Sequence, residues 1–147
     1  MLSLLRNRGE LDRLRCDPSL IDTAVEEFLR YESPIQVDTR LLTEDVELRD
    51  RVVRKGHPVM LVRAAANRDP IQFSEPDRLD IGRQNNKHLA FGWGIHFCLG
   101  APLARIEAKI AVKTLLERLP GIRLESENVV WWENMALRSP RSLPVAF

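Results

Sequence analysis

Phe91-Gly92-Trp93-Gly94-Ile95-His96-Phe97-Cys98-Leu99-Gly100 is the stretch on which the reading of this chain turns, because three of only seven glycines fall within it. Glycine gathers where the backbone needs dihedrals closed to other residues, or must pass close to another group. A long helical pattern follows from Pro102 to Leu119, closed by Pro120-Gly121. Proline is tolerated in a first helical turn, where its missing N–H would have had no partner. Cys98 therefore stands near the positive end of a helix dipole, beside backbone N–H groups without intrahelical acceptors, and both favour a thiolate.

Four readings of Cys98 follow. A lone cysteine is most often one more small buried hydrophobe, but that leaves the three glycines unexplained. A nucleophile would want a histidine base; His96 is two residues away, His57 and His88 are remote in sequence, and no papain-like or caspase-like signature surrounds the thiol. A zinc site built on His96 and Cys98 lacks further ligands at useful spacing. The fourth reading is axial ligation of haem iron.

Working outward, the 147 residues have the length of one ordinary domain with a core of its own. Lys and Arg number 22 against 21 Asp and Glu, which gives no ground for nucleic acid or an anionic membrane as the main partner. No apolar run approaches a membrane span, and Met1-Leu2-Ser3-Leu4-Leu5 is too short for a signal-peptide core, so a cytoplasmic location is expected. Cys16 and Cys98 are far apart and form neither a disulfide framework nor a Cys-x-x-Cys pair; Cys16 is given no role.

The fold class expected is mainly α with small antiparallel β-sheets. A short polar helix covers Glu10 to Arg15 and stops at Asp17-Pro18. A second, residues 20–31, carries Leu20, Ala24, Val25, Phe28 and Leu29 at helical spacing, with Ser19 as cap and Ser33-Pro34 as stop. Residues 35–62 alternate as strands around Arg49-Asp50 and Lys55-Gly56 and read as one small antiparallel sheet. A helical turn from Arg63 to Asn67 precedes an irregular stretch, 68–90, of a length uncommon in a compact domain unless it is functional. The loop 91–100, the helix 102–119 and two short strands within 122–147 complete the chain.

The pattern Phe-Gly-x-Gly-x-His-x-Cys-x-Gly resembles the haem-binding loop of the cytochrome P-450 superfamily, the haem-thiolate monooxygenases. The resemblance implies that Cys98 is the axial ligand of haem b, that the glycines Gly92 and Gly100 let the loop pass close under the porphyrin, and that Phe91 packs beside the sulfur. Thiolate donation pushes electron density onto iron and favours O–O cleavage. Glu27-Phe28-Leu29-Arg30 resembles the family's Glu-x-x-Arg motif, with two charges on one helix face; read blandly, it is a surface pair worth about 0–1 kcal/mol. Pro76-Asp77-Arg78 stands where the family supplies a third member, so Glu27, Arg30 and Arg78 are expected as a buried structural triad. Arg40 and His96 match positions that bind the haem propionates in bacterial members. Ile35 and Val37 match a segment lining the substrate pocket, and Met135 to Leu137 a C-terminal pocket turn.

Ala65-Ala66-Asn67-Arg68-Asp69-Pro70, Gly100-Ala101-Pro102-Leu103-Ala104-Arg105 and Pro140-Arg141-Ser142-Leu143-Pro144 also resemble soluble bacterial members. Such members draw electrons from a small acidic ferredoxin, and Arg105, Lys109 and Lys113, spaced by four, form a basic stripe suited to it; a solvated helix face explains the stripe equally well. The resemblance covers the C-terminal part of the family's domain, about a third of it, so the chain is expected to be a truncated, proximal haem-side portion without the distal helix that delivers protons to oxygen. The function expected is the haem-binding part of a monooxygenase acting on a small organic substrate. The alternatives are a non-catalytic haem-binding module and a split-gene remnant.

Overall fold

The computed structural model describes residues 1–147. Helix α1 (Leu2–Arg6) and helix α2 (Arg8–Cys16) form an N-terminal hairpin whose Leu4, Leu5, Leu11 and Leu14 are buried. Five residues are too few for a periodic signal, which is why α1 does not stand out in the sequence. A 3₁₀ turn, Pro18–Leu20, leads into helix α3 (Ile21–Tyr31). Asp17 caps that 3₁₀ turn, its carboxylate accepting from the Ser19 amide at 3.1 Å, while α3 itself starts after Leu20 with no side-chain cap, so the Ser19 cap that the sequence suggested does not form. Ahead of Pro18, Asp17 has the extended backbone that a capping residue needs.

The strand region is two separate ribbons where one sheet was expected. Strand β1 (Val37–Leu41) pairs antiparallel with β4 (Pro58–Val62) in the register Val37 to Val62 and Arg40 to Val59. Between them β2 (Val46–Leu48) and β3 (Arg51–Val53) form a hairpin that pairs with nothing else. Its base is held by Asp45, which accepts from the Lys55 amide at 2.8 Å and from Arg54 at 2.6 Å. Arg49, first residue of its two-residue turn, has φ of 57°.

Helix α4 (Arg63–Ala66) starts where β4 ends. Residues 68–90 then run without a helix or strand, as the sequence suggested. Helix α5 (Ala101–Arg118) begins one residue after Gly100, and β5 (Arg123–Leu124) pairs with β6 (Val145–Ala146). The core gathers α1 and α2 with Ala24 of α3, Ile81 of the irregular stretch, Val112 of α5 and Ile122. It lies at the far end of α5 from the glycine-rich loop. The loop itself is held by polar ties rather than by apolar burial.

Candidate haem-ligand site

Those ties start at Glu27. The carboxylate is fully buried and clasped by Arg30, one turn on, at 2.7 Å and 2.8 Å, a bidentate geometry. Glu27 also accepts from the Asp80 amide (3.0 Å), from Asn86 Nδ2 (3.1 Å) and from Arg83 Nε, 3.2 Å from each oxygen. Arg30 turns its other donors to the carbonyls of Asn67 (2.9 Å), Pro76 (2.8 Å) and Arg78 (3.2 Å). The expected pair is thus buried, but the third member is Arg83, not Arg78. Arg78 contributes only its carbonyl to the cluster; its side chain is exposed and pairs with Glu75 at 3.0 Å. The carbonyls of Pro76 and Arg78 face Arg30, and the guanidinium that reaches Glu27 belongs to Arg83, five positions after Arg78.

A second cluster ties α3, the irregular stretch and α5. Arg105 donates to Glu26 at 2.6 Å and 2.8 Å, and its guanidinium lies 4.7 Å over the Phe91 ring. Buried His88 meets the same carboxylate through Nε2 at 3.0 Å, while its Nδ1 accepts from the Ala90 amide at 3.2 Å. Burial alone would raise the Glu26 carboxyl, but the hydrogen bonds from Arg105 and His88 outweigh it and hold the pKa at about 2. Nothing in the sequence pointed to Glu26 or His88 as partners. The expected basic stripe is also changed: Arg105 is committed to Glu26, Lys109 pairs with Asp22 at 2.5 Å, and Lys113 stands 3.9 Å from Glu117.

The loop emerges from these ties. Gly92 and Gly94 take φ of 76° and 68°, conformations that L side chains rarely adopt, and Gly94–His96 forms a 3₁₀ turn. The Cys98 amide closes the loop on the Phe91 carbonyl at 2.9 Å, and the Ala101 amide returns to the Cys98 carbonyl at 3.2 Å. Cys98 is exposed, which removes the reading of it as a buried small hydrophobe. A Cβ at Gly100 would stand 3.8 Å from its sulfur, at ordinary van der Waals distance, so position 100 flanks the thiol directly. Beside it Ile95 and Leu99 are each 98% exposed, an unpartnered apolar rim around a thiol.

A cavity of about 350 Å³ opens beside the loop, lined by Asp38, Arg40, Arg63, Gly92, Trp93 and His96 among others. Arg40 donates to the Thr39 carbonyl at 2.9 Å and meets no acidic side chain, so its charge remains available. Arg40 and His96, 56 positions apart, are thereby brought to line one cavity. Ile35 forms a bridge with Leu137, and Val37, Val62, Trp131, Trp132 and Met135 share a cavity of about 310 Å³. The two segments expected to line a pocket therefore meet.

An exposed thiol on a glycine-rich loop, an apolar rim and a nearby cavity lined by cationic Arg40 and a histidine match a flat apolar macrocycle that carries iron and two carboxylates: sulfur is a soft donor for iron, and guanidinium a fork for carboxylate. The model of the family described as Cytochrome P450 matches residues 17–123 of the chain. The cytochrome P450 CYP107DY1 of Priestia megaterium is 49% identical, over 100% of this chain and 36% of its own length. The cytochrome P450 monooxygenase PikC of Streptomyces venezuelae is 47% identical, over 99% of this chain and 36% of its own. The crystal structure of P450BioI in complex with an acyl carrier protein ligated to hexadec-9Z-enoic acid superposes with a TM-score of 0.97 at 46% identity, covering 99% of this chain and 38% of that one. The chain thus spans little more than a third of the length of these relatives, and over that span both its sequence and its backbone follow them. On these grounds the chain belongs to the cytochrome P450 family.

Proposed function

We propose that the chain is the haem-binding part of a monooxygenase and that Cys98, as thiolate, is the axial ligand of haem b. The observation that carries this reading is the exposed thiol on a loop closed by the Cys98 amide and the Phe91 carbonyl at 2.9 Å. Haem so ligated supplies the dioxygen chemistry. The residues of the chain bind and orient. Gly92 and Gly100 keep bulk away from the macrocycle and the sulfur, Phe91 stands behind the loop, and Arg40 and His96 take the propionates. Glu27, Arg30 and Arg83 form the scaffold on which the loop rests. Ile35 and Val37, with Met135 to Leu137, form an apolar wall for a small organic substrate. In this assignment residues 20–31 are the scaffold helix, 35–62 the strand region, 68–90 the tether, 91–100 the ligand loop, 102–119 the proximal helix and 122–147 the C-terminal strands, with the pocket turn at Met135 to Leu137. Electrons come from a ferredoxin-type donor, with Lys113, whose contact with Glu117 is long, left for its docking and Arg105 and Lys109 kept as internal ties.

Adding haem to the purified chain and recording the reduced carbon monoxide spectrum tests this. A strongly red-shifted Soret band is expected, and its loss in Cys98→Ala assigns the ligand; no haem uptake overturns the reading. A second reading, a module that holds haem without turning substrate over, draws support from the openness of the rim at Ile95 and Leu99. Product formation with a redox partner and apolar candidate substrates decides between the two.

A further inference from the structure

We propose that Asp38 and Arg63 form a clasp that fixes strand β1 to the leading edge of the 91–100 loop, and so sets the separation of Arg40 and His96 across their cavity. Arg63 opens α4, and its side chain is 12% exposed. Nη2 donates to Asp38 Oδ1 at 3.3 Å, and Nε lies 3.2 Å from Oδ2 without a geometry that makes it a hydrogen bond. Nη1 donates to the Ala90 carbonyl at 3.1 Å. One turn along α4, Asn67, fully buried, accepts the Leu89 amide at 2.7 Å through Oδ1. Residues spaced by four share a helix face, so α4 grips the 89–90 segment from both ends just before Gly92.

The other arm reaches the strand. Asp38 and Arg40 are two positions apart on β1 and project to the same face, and both line the cavity with His96. Orienting Asp38 therefore orients the strand face that carries Arg40. The guanidinium also stands 3.6 Å from where a Cβ of Gly92 would be, so the glycine that opens the loop rests against the clasp. Asp38 and Arg63 lie 25 positions apart and belong to no motif of the loop. They are positioning residues: the charge of Arg63 is spent on Asp38, which leaves Arg40 as the unpaired arginine of the cavity.

Amide hydrogen exchange of the whole ligand-free chain tests the clasp directly, because it separates local opening from global unfolding. Arg63→Leu and Asp38→Ala are each expected to speed exchange of residues 90–98 about tenfold, with α3 and α5 unchanged. The double variant should be no faster than Arg63→Leu alone, since that change already removes both arms of the clasp. Asp38→Asn, which keeps an acceptor, should restore most of the protection. Unchanged loop exchange in Arg63→Leu, additive effects, or acceleration spread through α3 and α5 would each overturn the clasp. Haem titration supplies the second arm, and it rests on the function proposed above. Weaker uptake in Arg63→Leu is expected, and equal uptake overturns the positioning role. If the unaltered chain takes up no haem, the proposed function fails while the exchange data still judge the clasp.

Discussion

Glu27 is a fully buried carboxylate, and both of its oxygens are met by donors, from Arg30, Arg83, Asn86 and the Asp80 amide, which offset the cost of its burial. Arg83 is one of two guanidinium groups that reach it, whereas Arg78 reaches solvent and Glu75. Their removal should differ accordingly. Arg83→Ala is expected to cost about 3 kcal/mol, since it leaves a buried charge undercompensated. Arg78→Ala should cost less than about 1 kcal/mol, as for an exposed pair. Urea unfolding of the two variants checks the order, and equal losses would return Arg78 to the cluster. The sequence alone could not have separated them. Both lie in a stretch without periodicity, 51 and 56 positions from Glu27, where no local spacing says which arginine comes back to α3. Glu27 and Arg30 were legible as a pair because their spacing of three places both on one helix face.

Between elements, the decisive ties are polar and long-range. The Glu26 cluster joins α3 to α5 and to His88, and its pKa fixes a pH limb of stability. The folded carboxyl, at about 2, lies below its ordinary value of 4.5. Its contribution is therefore complete above the ordinary value and is lost as pH falls from there towards about 2. Urea midpoints taken at intervals between pH 6 and pH 2.5 should fall along this limb, and Glu26→Gln should start lower at pH 6 and fall less. A parallel decline in both proteins would remove Glu26 from the account. Helices α3 and α5 could be read from their spacing and prolines, and the irregular character of 68–90 from its composition. Arg105 was legible as a cation but not as a partner of Glu26, because 79 residues separate them and no periodic rule links positions so far apart.

The whole molecule exposes 9957 Å². A compact monomer of its 16.9 kDa exposes about 7,700 Å². The excess, about 2,300 Å² on that scaling, is comparable with what an extensive permanent interface covers. The exposed surface includes large apolar side chains: Leu103, Ile106 and Ile110 along α5, Ile95 and Leu99 on the loop, Val130 and Trp132 near the C-terminus. The isolated chain is therefore expected to enhance the fluorescence of an apolar-surface dye and to self-associate as its concentration rises, both less so with haem bound. Sedimentation velocity with dye titration checks this; a dye-silent monomer at high concentration would mean that these faces find cover within the chain. The β2–β3 ribbon stands apart from all of this, hydrogen-bonded to no other strand and anchored at its base by Asp45. Its tip at Arg49 and Asp50 is thus a natural grafting point: a fluorophore, an affinity tag or a tether to a surface attached there would report on the chain or immobilise it without touching the loop, the cavity or the apolar faces.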